Sequence, residues 1–238
     1  MNDANARPIV FTPDNEPYLG LTSVFALDVT ISACLDLSGK VAPTTHEMEK
    51  SDLQEAACQL VPQAINLTLA VRELVRQGYL FGALILLRSL IERVAILRYI
   101  ISSPEGIDLW KRGWNHKEAP CLAKMLGAMQ KEGKLKSDAV SEAALKVLYL
   151  LAQDEPTFDI IEITGPLNDA VHGKPASAVW TVVPVGGDRF GHAPSKILNN
   201  PLLCDRICLP ALAMLLVLQT TIAEVFPQST PTLVGHLQ

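Results

Sequence analysis

Two short stretches hold the side chains best suited to chemistry. In Leu87-Arg88-Ser89-Leu90-Ile91-Glu92-Arg93, a cation and a carboxylate stand four residues apart inside a long apolar run. At about 100° per residue in a helix, Arg88 and Glu92 lie about 40° apart, and Tyr99 falls between them further along the same face. A charge on a buried helix is costly unless it is paired and hydrogen-bonded. Two uses meet that condition. Either Arg88 and Glu92 form an internal ion pair that holds neighbouring helices in register, or Arg88 points into a cleft to hold an anion while Glu92 fixes its guanidinium plane.

The second stretch is Leu167-Asn168-Asp169-Ala170-Val171-His172-Gly173. Asn168 and His172 share a helix face, and His172 stands near a helix C-terminus, where the dipole favours imidazolium. Three jobs suit such a histidine: general acid–base work, a phosphate contact, or a structural hydrogen bond to the last carbonyls.

Helices must position these groups. Residues 79–102 are apolar around nearly the whole circumference, which predicts the central helix of a bundle. Ahead of it, Ser51 with Gln54 forms a capping-box signature for a helix reaching about Gln77, kinked by Pro62 and stopped at Gly78. Residues 20–37 predict a first helix ended by Gly39, followed by a polar connector over 40–50. Ser103-Pro104-Glu105 predicts the start of a short helix through about Arg112. Further helices are expected over 119–131, 138–153 and 158–172, the last broken or restarted at Gly165-Pro166 and ended by Gly173. Residues 178–189 favour strand from Val179 to Val183 and turn at Gly186-Gly187-Asp188, predicting a hairpin at about 178–192. Asn200-Pro201 then opens a last apolar helix. The fold class is therefore all-α: a helical bundle over 19–226 with a small β-hairpin before the last helix. Residues 1–18 are expected to be a flexible segment and 227–238 a loose tail.

A helix carrying Arg88-Ser89-Leu90-Ile91-Glu92, then Asn168-Asp169-Ala170-Val171-His172-Gly173, an extended flap and a last apolar helix resembles the HEPN superfamily. The likeness is to bacterial branches related to abortive-infection proteins. It spans about 51–226 in order of elements, while the residue match is confined to the two motifs. The resemblance implies a dimeric helical bundle whose active members are metal-independent RNases, with an arginine a few residues before the histidine. An Asn or Asp commonly follows that arginine, which carries over to Asn168. The chain departs from the pattern there, because Gly165, Pro166 and Leu167 stand where the arginine belongs. On this likeness, His172 would be the acid–base group on a 2′-hydroxyl or leaving oxygen, and Arg88 would steady the phosphate from a facing helix. Glu92, Asn168, Asp169 and Tyr99 would orient or bind. RNA or a nucleotide would be the ligand, phage defence the setting, and no metal or cofactor would be required. The rival expectation is a non-catalytic interaction or sensor protein that keeps the bundle without the chemistry.

Composition narrows the remaining classes. In 238 residues, 49% are hydrophobic and 19% charged, enough to build one core and too apolar for intrinsic disorder. Only 5% are aromatic and the net charge is −5, so neither a base-stacking platform nor a global field for DNA is expected, and no helix-turn-helix motif is found. Phosphate-loop, Gly-x-Ser-x-Gly, paired CxxC and HExxH motifs are absent. Cys34, Cys58, Cys121, Cys204 and Cys208 are odd in number and mostly in apolar surroundings, which fits free thiols in a reducing cytosol better than disulfides. Cys204 and Cys208 share a helix face and are expected to be core cysteines, not a metal clip. Residues 80–101 and 209–226 approach membrane-spanning length. Arg88, Glu92, Arg93 and Arg98 interrupt the first, and Pro210, Gln219 and Glu224 the second, so both are expected to be buried in protein. A polar, proline-punctuated start completes the expectation of a cytoplasmic protein. Two helices this apolar also predict a homodimer.

Overall fold

The computed structural model describes residues 16–47, 49–132, 164–180, 182–187, 189–192 and 200–227. Their element order is α1 (Thr22–Glu47), α2 (Asp52–Arg76), α3 (Leu80–Ser102), α4 (Gly106–Lys111), α5 (Leu122–Glu132) and α6 (Thr164–Val171). A 3-10 turn (Pro175–Trp180), β1 (Val182–Gly186), β2 (Arg189–His192) and α7 (Pro201–Val225) follow.

Local chemistry sets most of these boundaries. Ser51 Oγ accepts the Gln54 N–H at 3.3 Å while Gln54 Oε1 accepts the Ser51 N–H at 3.0 Å, the reciprocal capping box that opens α2. Pro62 stands inside α2, which runs unbroken to Arg76; Gly78, with φ +76°, then reverses the chain into α3. Asn200 Oδ1 accepts the Leu203 N–H at 3.1 Å, and Pro201 fills the first turn of α7, where no donor is needed.

α3 is the hub, packing against α2, α4, α5, α6 and α7, while α1 lies on α7 and α2. Leu87, Leu90, Ile91, Val94 and Leu97 on α3 are buried, as are Ile207, Leu212 and Met214 on α7. This is an all-α helical bundle. Its β-hairpin pairs Val182 with His192 and Val183 with Gly191, with an irregularity between Pro184 and Gly186. By length and composition, α7 is long and apolar enough to cross a membrane, and 67% of its most apolar stretch is buried inside the bundle.

Several boundaries differ from expectation. Gly39 does not end α1, which continues through Pro43 to Glu47, so most of the expected connector over 40–50 is helical. Burial of Val41 against the core extends the helix, and the Asp36–Lys40 pair at 2.6 Å spans the glycine. Ser103 closes α3, donating its N–H to Tyr99 O at 2.9 Å, and α4 starts only at Gly106. A side chain at Gly106 would lie 2.7 Å from Ile100 Cα, so only glycine permits α4 to fold this tightly onto the end of α3. Gly165 and Pro166 form the first turn of α6, in keeping with the expected restart there, and residues 158–163 lie outside the described residues. Val179 and Trp180, expected in a strand, belong to the 3-10 turn, where Ser177 Oγ donates to Lys174 O at 2.7 Å. Packing also begins ahead of residue 19. Tyr18 is buried with its hydroxyl accepting the Asn200 N–H at 3.1 Å, and Glu16 pairs with Arg72 at 2.7 Å. The expected helix over 138–153 lies outside the described residues, as do residues 1–15 and 228–238.

Candidate functional site

Arg88 projects from the middle of α3 toward α6. Its Nε donates to Asn168 Oδ1 at 3.0 Å, a contact between residues 80 apart in sequence. Its Nη1 is sealed from solvent without a well-formed hydrogen bond and lies 3.3 Å from Glu92 Oε2, in an ion pair with side chains 18% and 26% exposed. The guanidinium is thus held on two sides, by Asn168 from the facing helix and by Glu92 one turn further along its own. A half-buried cation tied in this way fixes where α6 crosses α3.

α6 presents Asn168 because its other face is committed to the core: Leu167 is fully buried and Ala170 nearly so. Its end is closed by backbone alone. Gly173 adopts φ +62°, the Lys174 N–H donates to Asp169 O at 2.9 Å, and the Gly173 N–H donates to Ala170 O at 3.4 Å. These two bonds form a Schellman motif that satisfies the last carbonyls, so the structural job expected of His172 is done without its imidazole. His172 is exposed, and among the described residues its side chain makes no hydrogen bond. It stands one turn, about 6 Å along the axis, beyond Asn168.

Two other expected site residues are engaged elsewhere. Tyr99 donates its hydroxyl to Glu105 Oε1 at 3.1 Å and meets Trp114 edge-on with ring centroids 6.0 Å apart, so it braces the α3–α4 junction. Asp169 pairs with Lys174 at 2.7 Å across the end of α6. The structure therefore brings Arg88, Glu92 and Asn168 together, places His172 adjacent, and leaves Tyr99 and Asp169 outside the group.

A second, half-buried ion-pair cluster escaped the sequence reading. Arg72 on α2 grips Asp28 of α1 through Nε (2.5 Å) and Nη2 (2.9 Å), and its Nη2 also reaches Glu16 at 2.7 Å. Hydrogen bonding to Asp28 raises the guanidinium pKa further above its ordinary value. Asp28, the one acid in the apolar first half of α1, was the available signal. Of the cysteines, Cys204 and Cys208 are buried with sulfurs 3.8 Å apart, and Cys34 is buried with its thiol pushed up to about 12 by desolvation. No group of three or more His, Cys, Asp or Glu arranged to hold a metal is found among the described residues.

Residues 54–147 match the model of a family of unknown function, DUF5677. The match covers under half of the chain; it includes Arg88 and Glu92 and stops before Asn168 and His172. No curated protein and no solved structure matches the chain.

Proposed function

We propose that this is a non-catalytic, HEPN-like interaction protein, in which Arg88, Asn168 and Glu92 join α3 to α6 and do not act on a phosphate. The observation that carries the reading is the engagement of Arg88: Nε is taken by Asn168 at 3.0 Å, and sealed Nη1 lies beside Glu92. An arginine that stabilises a transferring phosphoryl group needs donors aimed at an open position where charge develops. Full burial of Leu167, at the place where the resemblance puts an arginine, removes the alternative cation. A homodimer stays in the reading through the resemblance alone, because α3 and α7, the apolar helices that suggested it, bury most of their apolar side chains within the bundle.

One observation favours a second reading, a metal-independent RNase. His172 is exposed and one turn from the residue that orients Arg88. Incubating wild type and His172→Ala with structured and single-stranded RNAs in the presence of chelator separates the two. No cleavage by either protein is expected, with the unfolding midpoint of His172→Ala shifted by less than about 0.5 kcal/mol in stability. Chelator-resistant cleavage by wild type, lost in His172→Ala, would establish the RNase instead.

A further inference from the structure

A cavity of about 370 Å³ opens between the C-terminal half of α1, the first turns of α2 and the end of α7. Val41, Val61, Ile222 and Phe226 give it an apolar floor, and all four are buried. Its polar lining comprises Ser38, Thr45, His46, Lys50 and Cys58. Lys50 Nζ donates to Thr45 O at 2.9 Å, which anchors the ammonium at the rim and leaves two of its three N–H donors for a ligand. Among the described lining residues Lys50 is the one that carries a fixed charge, and Glu55, outside the lining, acts on Cys58 against it. The volume lies within the roughly 300–1,000 Å³ of small-molecule sites, and apolar walls with few convergent polar groups are their usual lining.

We propose that this cavity binds a small carboxylate with an aliphatic body, of the medium-chain fatty acid class. The hydrocarbon covers Val41, Val61, Ile222 and Phe226, and the carboxylate meets Lys50 and His46 at the rim. One ammonium and one imidazole suit a single-headed monoanion; a phosphate would call for more donors converging on it, such as an arginine fork or a helix N-terminus. The site is remote in sequence from Arg88 and Asn168, and the inference stands whether or not the protein cleaves RNA. It makes the end of α7, pinned to α2 where Gln54 Nε2 donates to Val225 O at 3.3 Å, the element a ligand would steady.

Cys58 lies in the cavity wall and Cys121 is exposed elsewhere, so thiol alkylation reads the site directly. The full chain is labelled with iodoacetamide and both cysteines are followed by peptide mass spectrometry, with octanoate, octylamine or 1-octanol added. At about four times its dissociation constant, octanoate is expected to slow Cys58 labelling about fivefold while leaving Cys121 unchanged. Octylamine and 1-octanol are expected to protect less. Lys50→Met, a rim substitution, should erase the preference for octanoate over 1-octanol, and Val61→Trp, which fills the floor, should abolish protection by either. An unchanged Cys58 rate at millimolar octanoate, or equal protection by all three compounds in the wild type, would overturn the proposal.

Discussion

Leu167→Arg, which places an arginine where the resemblance to HEPN proteins calls for one, is expected to cost about 3–5 kcal/mol of stability and to confer no RNA cleavage. The position is fully buried on the core face of α6, next to Asn168, which is half-buried and turned toward Arg88. A guanidinium there would be sealed in the apolar core, and among the described residues the acids of this region are engaged, Glu92 with Arg88 and Asp169 with Lys174. Leu167→Met keeps the volume and should lose less than about 1.5 kcal/mol, which separates the effect of charge from that of packing. Urea unfolding of the two variants measures the difference. A Leu167→Arg protein with a wild-type midpoint that cuts RNA would mean that α6 can turn this residue outward.

Alkaline pH is expected to destabilise the wild type more than Cys34→Ala. The Cys34 thiol, 1% exposed on α1, has its pKa pushed up by burial to about 12, from an ordinary 9.0. The unfolded chain therefore gives up this proton first. The stabilising contribution is intact below about pH 9 and is lost as pH rises toward 12, by up to ~4 kcal/mol in all. Cys208 shifts in the same direction, through its contact with Cys204 and through burial, and is common to both proteins. Urea midpoints at pH 8 and pH 11 should fall further in wild type than in Cys34→Ala. Parallel falls would show that Cys34 is not held protonated by the fold.

The bundle was legible wherever local chemistry and periodicity agreed. The Ser51–Gln54 box, the apolar circumference of α3 and the Asn200-Pro201 start each marked an element that formed. Gly39 misled because a C-cap signal is local, whereas the continuation of α1 is decided by burial of Val41 against other elements. The same limit shaped the candidate site. A four-residue spacing was enough to foresee the Arg88–Glu92 pair, since both ends lie on one helix. Asn168 as the third member was not foreseeable as a contact, because only tertiary packing decides at which turn α6 crosses α3. Tyr99 shares an angle with Arg88 but sits eleven residues, or about 16 Å, further along the axis, where Glu105 and Trp114 claim it. The end of α6 was legible at Gly173, whose left-handed conformation closes the helix, and of the three jobs open to His172 the bond to the last carbonyls is the one the backbone takes over.

Whether Arg88 serves the fold is decided by the energetic coupling between Arg88 and Asn168. A double-mutant cycle of Arg88→Met, Asn168→Leu and the pair, followed by urea unfolding, isolates that term from the separate effects of each substitution. A favourable coupling of about 1–2 kcal/mol is expected for a half-buried, charge-assisted hydrogen bond. A coupling below about 0.3 kcal/mol, within the range of independent sites, would contradict the structural role and return Arg88 to the list of groups kept for a ligand.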